Sequence, residues 1–258
     1  MSQQSFDQNG VNARPVVSGW EVKTGCHYNL CDGSGFLYDE ATNTSSDCRC
    51  RGERIARANA HSLSAVIPRR YADIGFDRYP VTEIEPPDTV RATKRFVAKL
   101  DQNLDNGLGL WFMGPTGNGK TTLAMLVTKA ALDSGRNVAR YTLPDLLSKL
   151  RGTYSTDSHE DLLERLVAVD LLHIDDIGAQ QASPWVLEEL YRIVNTRYEE
   201  KRSILITTNI LKRDELYAQI TERTVSRLTE MCEELPVDNP DMRLEARFRL
   251  AEESDRTD

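Results

Sequence analysis

The chain has 258 residues, a formal net charge of −8 and 40% hydrophobic residues, enough for one α/β domain of ordinary size with a small appendage. It holds no run of 18 apolar residues, which excludes a membrane-spanning helix, and its polar first ten residues lack the apolar core of a signal peptide. A cytoplasmic protein is expected, so the five cysteines read as metal ligands or buried thiols rather than disulfides. The charge is unevenly spread. From Glu230 to the end there are ten acidic and four basic residues, whereas Arg49 to Arg70 carries six arginines and one glutamate. An acidic chain of this kind can still present a basic patch to phosphates.

Residues 1–22, rich in Gln, Asn and Ser, read as a disordered leader. Residues 23–52 contain Cys26-x4-Cys31 and Cys48-x-Cys50, two hooks separated by a turn-rich hairpin, the arrangement a four-thiolate Zn²⁺ site needs. Gly33 and Gly35 relieve the backbone after the first hook, and His27 is the alternative to one of the thiolates. A segment this small has too little core to fold without such a staple. In residues 53–87, a basic helix is followed by a connector. Arginines 51, 54 and 57 fall along one helical face between Arg51 and Ser64, either solvated or set against nucleic acid or a partner. Ile67 to Pro87 is extended and proline-punctuated, a strap that packs across the next domain.

Residues 88–238 alternate helices with strands, which predicts a parallel sheet flanked by helices. Asp88 or Thr89 caps a helix with Val90, Val97, Leu100 and Leu104 on one face, ending at the turn Asp105-Asn-Gly107. Leu108 to Met113 is an apolar strand that runs into Gly114-Pro115-Thr116-Gly117-Asn118-Gly119-Lys120-Thr121-Thr122, and a helix follows. This is a phosphate-binding loop. The glycines let backbone N–H groups converge on a phosphate, Lys120 suits the β/γ-phosphates, and the Thr121 hydroxyl suits Mg²⁺.

Val138 to Leu143 reads as the next strand, with a short helix from Asp145 to Arg151 and a polar loop from Gly152 to Thr156. Ser158 to Val167 is helical. Asp170-Leu-Leu-His-Ile-Asp175-Asp176 is a strand ending in two carboxylates about 55 residues after Lys120. Asp175 there suits the Mg²⁺ shell and Asp176 the polarisation of an attacking water, while His173 reads as packing. Ser183-Pro184 opens a helix to about Glu200 with Leu187, Leu190, Tyr191, Val194 and Tyr198 at core spacing. Ser203 to Thr208 is a strand that places Asn209, a neutral amide, at the same edge of the sheet. Two helices follow, Lys212 to Gln219 and Thr221 to Met231, the second with Arg223 and Arg227 on one face. Cys232 to Val237 is an edge strand with a buried thiol, and residues 239–258 read as an acidic tail.

With these residues laid out, the sequence resembles the AAA+ P-loop ATPases of the bacterial helicase-loader (DnaC-type) and transposition-helper (IstB-type) group. Gly114 to Thr121 is similar to the Walker A motif, Ile174-Asp-Asp-Ile-Gly178 to Walker B and Thr207-Thr-Asn209 to sensor 1. Glu222-Arg-Thr-Val-Ser-Arg-Leu228 is similar to the segment carrying the arginine finger, which implies Arg227, with Arg223 as the second candidate. The cysteine-rich front end and the connector are also of the group's type. Too little chain follows Val237 for the helical lid of larger relatives, so the lid is reduced or absent, and Arg243 is a weak candidate for sensor 2.

The resemblance implies ATP, Mg²⁺ and Zn²⁺ as cofactors, and a homo-oligomer that forms on ATP or DNA. It implies ATP-dependent loading of a replicative helicase onto single-stranded DNA, or, as the alternative, help to a transposase in target selection. Lys149, Arg151 and Tyr154 are the candidate DNA contacts. Asp176 in place of the group's usual glutamate leaves open an ATP-gated binding module with little turnover.

Overall fold

The computed structural model describes residues 26, 28, 30–31, 33–39, 43–51, 66–153, 158–178 and 182–243. The expectations for the leader, His27, arginines 54 and 57, Tyr154 and the chain beyond 243 fall outside these residues. The chain divides into two compact units, Met1–Gly52 and Glu53–Asp258.

In the first unit, β1 (Phe36–Asp39) pairs antiparallel with β2 (Thr44–Asp47), Phe36 opposite Asp47 and Leu37 opposite Ser46. Gly33 and Gly35 have φ of 95° and 88°, the left-handed turn that brings the chain from the first cysteine hook into β1. The interior of this unit is the cysteines themselves, with Leu37 and Tyr28 packed against Cys26, Cys48 and Cys50.

The second unit is built on five parallel strands: β3 (Gly109–Met113), β4 (Val138–Thr142), β5 (Leu171–Ile177), β6 (Ser203–Thr208) and β7 (Cys232–Pro236). Their order is β4-β5-β6-β3-β7. All five residues of β3 are buried, because a parallel sheet is covered on both faces. Trp111 joins a core with Leu146, Leu166, Leu190 and Leu228 on one side. Leu110 and Phe112 join Phe96, Leu123 and Val127 on the other. The covering helices are α1 (Pro87–Ala98), α2 (Leu100–Asp105), α3 (Lys120–Asp133), α4 (Leu143–Thr153), α5 (Ser158–Ala168), α6 (Pro184–Glu199), α7 (Arg213–Ile220) and α8 (Glu222–Met231). No helix among the described residues is long and apolar enough to cross a membrane.

Four local expectations change. The helix expected to run unbroken to Asp105 is two, because Lys99 (φ −117°) turns its N–H onto Phe96 O at 3.2 Å. Asn103 then donates its side-chain amide to the same carbonyl at 3.0 Å. Helix α4 starts at Leu143 and not Asp145, since the Thr142 hydroxyl accepts the Asp145 N–H at 3.3 Å and caps the turn that holds Pro144. It runs on to Thr153 and not only to Arg151, and on it Lys149 and Arg151 lie over the rings of Tyr141 and Trp185, at 5.4 and 4.9 Å from their centroids.

On α6 the buried positions are Val186, Glu189, Leu190, Ile193, Val194 and Arg197. Arg197 is fully buried because its guanidinium donates to Leu166 O, Val167 O, Val169 O and Asp170 O at 2.7–3.4 Å and to Ser203 O, stitching the end of α5 to β6. Burial brings it down to about 9. Finally, residues 239–243 are not free tail. Asn239 and Met242 are buried, and the Met242 N–H donates to Gly117 O at 3.0 Å.

Candidate nucleotide site and cysteine cluster

The carboxyl ends of β3, β5 and β6 converge on one cavity of about 300 Å³, lined along one wall by Thr116 to Thr122 and closed by Asp176 and Asn209. The loop between β3 and α3 needs its glycines for two separate reasons. A Cβ on Gly114 would stand 2.0 Å from Val237 O, and Gly119 holds φ 104° as the residue that caps α3. Asn118 is fully buried and bridges this loop to the end of β7, its amide donating to Val237 O.

Lys120 is 4% exposed. Its ammonium donates to Gly114 O at 2.8 Å, Pro115 O at 2.5 Å and Asn118 Oδ1 at 3.1 Å. Burial lowers it to about 8 despite the opposing charges of Asp176 and Asp175. The start of α3 adds backbone N–H groups and a positive dipole end. A cation and a helix N-terminus around a polar cavity fit the phosphates of a nucleotide.

Across the loop, Asp175 is 4% exposed and fully engaged. Oδ1 accepts from Thr121 Oγ1 at 3.1 Å and Thr207 Oγ1 at 2.6 Å, and Oδ2 accepts from Arg140 Nη2 at 3.2 Å. A hydroxyl and a carboxylate this close make the oxygen-rich pair that a hydrated Mg²⁺ prefers. Asp176 follows in an irregular stretch where the pairing of β5 with β6 slips between Ile174 and Ile177. Its φ of 59° is left-handed, uncommon for a residue with a Cβ, and its N–H is held by Thr207 Oγ1 at 2.8 Å. The slip turns its carboxylate into the cavity, where Asn209 Nδ2 stands 3.4 Å from Oδ1. His173, read as packing, is fully buried and paired with Thr128 Oγ1 at 2.9 Å; burial pushes it down to about 4, so it stays neutral.

The cavity has a second wall, Arg70, Tyr71, Tyr79, Met242 and Arg243, of which the sequence singled out only Arg243, as the candidate for sensor 2. The connector does not run extended. Two 3-10 turns, Arg69–Tyr71 and Val81–Glu83, fold it over the loop, and Tyr79 Oη donates to Met242 O at 3.2 Å. Arg140 was also missed, although a lone arginine within the strand Val138–Thr142 was its visible signal.

Arg223 and Arg227 do not line the cavity. Arg223 is exposed and pairs with no acid among the described residues, and Glu230 accepts from Tyr198 Oη at 2.6 Å. Arg227 is half-buried, its guanidinium 4.3 Å from the Tyr198 ring centre and its Nε donating to Asn195 Oδ1 at 3.2 Å.

In the first unit, the Sγ atoms of Cys26, Cys31, Cys48 and Cys50 all lie within 4.8 Å of one another. Cys26 and Cys48 are 3.8 Å apart and Cys31 and Cys50 3.5 Å, with no disulfide between them. A tetrahedron of Zn–S bonds of ~2.3 Å has edges of ~3.8 Å, so the cluster fits Zn²⁺. Backbone N–H groups, that of Leu30 foremost, bring Cys26 down to about 6 against burial, while burial pushes Cys50 up to about 12. The fifth cysteine, Cys232, is a buried thiol pushed up by burial, as expected.

Residues 80–250 match the family model described as IstB-like ATP binding protein. The chain is 30% identical over 189 residues to the replicative helicase loader DnaC of Buchnera aphidicola subsp. Acyrthosiphon pisum, a match covering 70% of this chain and 75% of that one. It is 29% identical over 160 residues to the DnaC of Escherichia coli, covering 61% and 64%. The crystal structure of the DnaC helicase loader superposes with a TM-score of 0.59 at 28% identity, covering 66% of this chain and 99% of that one. With the five-stranded sheet and the loop geometry, these matches make the chain a member of the IstB-like ATP-binding family, within the DnaC/IstB-type AAA+ group.

Proposed function

We propose that this chain uses the binding and hydrolysis of ATP to load a ring-shaped replicative helicase onto single-stranded DNA. The observation that carries the reading is one cavity in which Lys120, Thr121, Asp175, Asp176 and Asn209 meet, in a chain similar to a replicative helicase loader over 75% of that loader's length. Bound ATP supplies the phosphoanhydride whose cleavage resets the cycle. Gly114 to Thr122 wrap the phosphates with backbone N–H groups, and Lys120 gives up its loop carbonyls to neutralise them. Thr121 and Asp175 would hold Mg²⁺, which would offset charge on the phosphates. Asp176 takes the proton of the attacking water, and Asn209 keeps its carboxylate and that water in line.

Arg227 reaches a neighbouring copy's site as the finger, with Arg223 beside it, so hydrolysis belongs to the homo-oligomer. Its contacts among the described residues, an aromatic face and an amide rather than a carboxylate, support that role. Zn²⁺ on Cys26, Cys31, Cys48 and Cys50 staples the front end as a separate small module. Lys149 and Arg151 meet the DNA backbone from α4.

The family model's IstB-like character supports a second reading, in which the partner is a transposase. Turnover measured with and without single-stranded DNA tests the ATPase reading. Stimulation by DNA is expected. ATP binding with no turnover in either condition would favour a gated binding module, for which the short Asp176 side chain is the reason.

A further inference from the structure

Among the described residues, the one cation hydrogen-bonded to Asp175 is Arg140, and it comes from outside the nucleotide-binding motifs. Arg140 lies on β4 and reaches across to the neighbouring strand, where Thr142 is the register partner of Asp175. Its Nη2 stands 3.2 Å from Oδ2, with the arginine side chain 19% and the aspartate side chain 5% exposed. At that burial the pair is screened far less than a surface ion pair, so the arginine takes up much of the carboxylate's charge.

The form of the contact shows what it does. A guanidinium that fixes a carboxylate's orientation uses its fork, with two parallel N–H···O bonds. Arg140 makes a single bond, and its Nε is buried with no hydrogen-bond partner among the described residues. The orientation of Asp175 comes instead from Thr121 and Thr207, which both donate to the other oxygen. The remaining neighbour, His173 Nε2, is 3.9 Å from Oδ1, beyond hydrogen-bond reach. Arg140 therefore contributes charge to Asp175 and little geometry.

From this we infer that Arg140 is a built-in competitor for the divalent cation. It shares the Asp175 carboxylate with Mg²⁺ and so raises the Mg²⁺ concentration at which the site takes up its nucleotide. The inference rests on the proposed reading of the cavity as a MgATP site. Arg140 is a positioning residue in this sense, acting through Asp175 and not on the nucleotide.

The test is equilibrium binding of a fluorescent ATP analogue to the full chain, titrated with MgCl2 at constant ionic strength. Arg140→Gln is expected to lower the half-saturating Mg²⁺ by about fivefold or more, the lower end of a typical coupling between sites. Arg140→Lys, which keeps the charge, is expected to shift it much less. Affinity for the analogue in EDTA should not tighten in either variant, because a nearby cation favours the phosphates when no metal is present. If Arg140→Gln fails to fold, Arg140→Met keeps the aliphatic stem and is read the same way. A half-saturating Mg²⁺ that stays put or rises on loss of the charge overturns the inference, as does an equal shift for Lys and Gln. Should the unmodified chain bind the analogue with no Mg²⁺ dependence, the reading of the cavity itself fails, and this inference with it.

Discussion

The hydroxyl of Thr121 donates to Oδ1 of Asp175 at 3.1 Å, joining two residues 54 positions apart. The contact ties the first turn of α3 to the end of β5, and it exists because β3, β6 and β5 lie side by side with their carboxyl ends together. Everything proposed for catalysis depends on that convergence.

Lys120 makes the site sensitive to alkali in two opposite ways. Its folded value of about 8 lies below the ordinary lysine value of ~10.4, so between them the unfolded chain holds more protons. Stability therefore rises with pH across this window; the cost of burying the ammonium is fully present below about 8 and gone above ~10.4. Nucleotide affinity should move the other way, weakening by up to about tenfold per pH unit once the ammonium must be re-formed. Lys120→Ala removes both trends and loses nucleotide binding while keeping the fold. Denaturation midpoints and binding constants from pH 7 to 10, taken as differences between the two proteins, check this. A variant that binds ATP normally contradicts the phosphate-loop assignment.

Asp176 is predicted to serve the chemistry and not the binding. Asp176→Asn keeps the cavity's shape and its neighbour Asn209 but cannot accept a proton, so turnover should fall by ~10²–10⁴ with ATP affinity within a few-fold. Equal losses in affinity and turnover would make Asp176 a binding residue instead.

The strand-loop-helix around Lys120, the carboxylates after β5 and the edge strand β7 were legible from the sequence because each is a local pattern of apolar runs and turn residues. The second wall of the cavity, apart from Arg243, was not. Tyr79 and Met242 meet across 163 positions, and nothing in either segment announces the other. Arg197 misled for a different reason. Apolar spacing on α6 favours Tyr198 for the core, yet the arginine is fully buried because the carbonyls around it satisfy its donors. Asp176 shows the limit most sharply, since its left-handed backbone and the slip beside it follow from pairing with β6.

The cysteine cluster predicts one Zn²⁺ per chain by metal analysis. Cys50→Ser should lose that metal and unfold the first unit, leaving nucleotide binding by the second unchanged, since the chain divides at Gly52. Purified protein with well under one equivalent of zinc would contradict the assignment.

The finger assignment predicts complementation. Arg227→Ala should bind ATP yet hydrolyse it ~10³-fold or more slowly in the assembled state, and mixing it with Lys120→Ala should restore part of the activity. Mixed interfaces then pair an intact loop with an intact finger. Normal hydrolysis by Arg227→Ala alone would return the arginine to a purely structural contact with Tyr198 and Asn195.

The most direct test of the proposed function is retention of the replicative helicase of the same cell on a closed circle of single-stranded DNA, onto which an intact ring cannot thread. With this protein and ATP, the helicase should be retained on the circle after a salt wash and should unwind an annealed strand; with Lys120→Ala it should wash away. Equal retention with and without this protein would contradict the loader reading, as would stable capture of a transposase with no binding to the helicase.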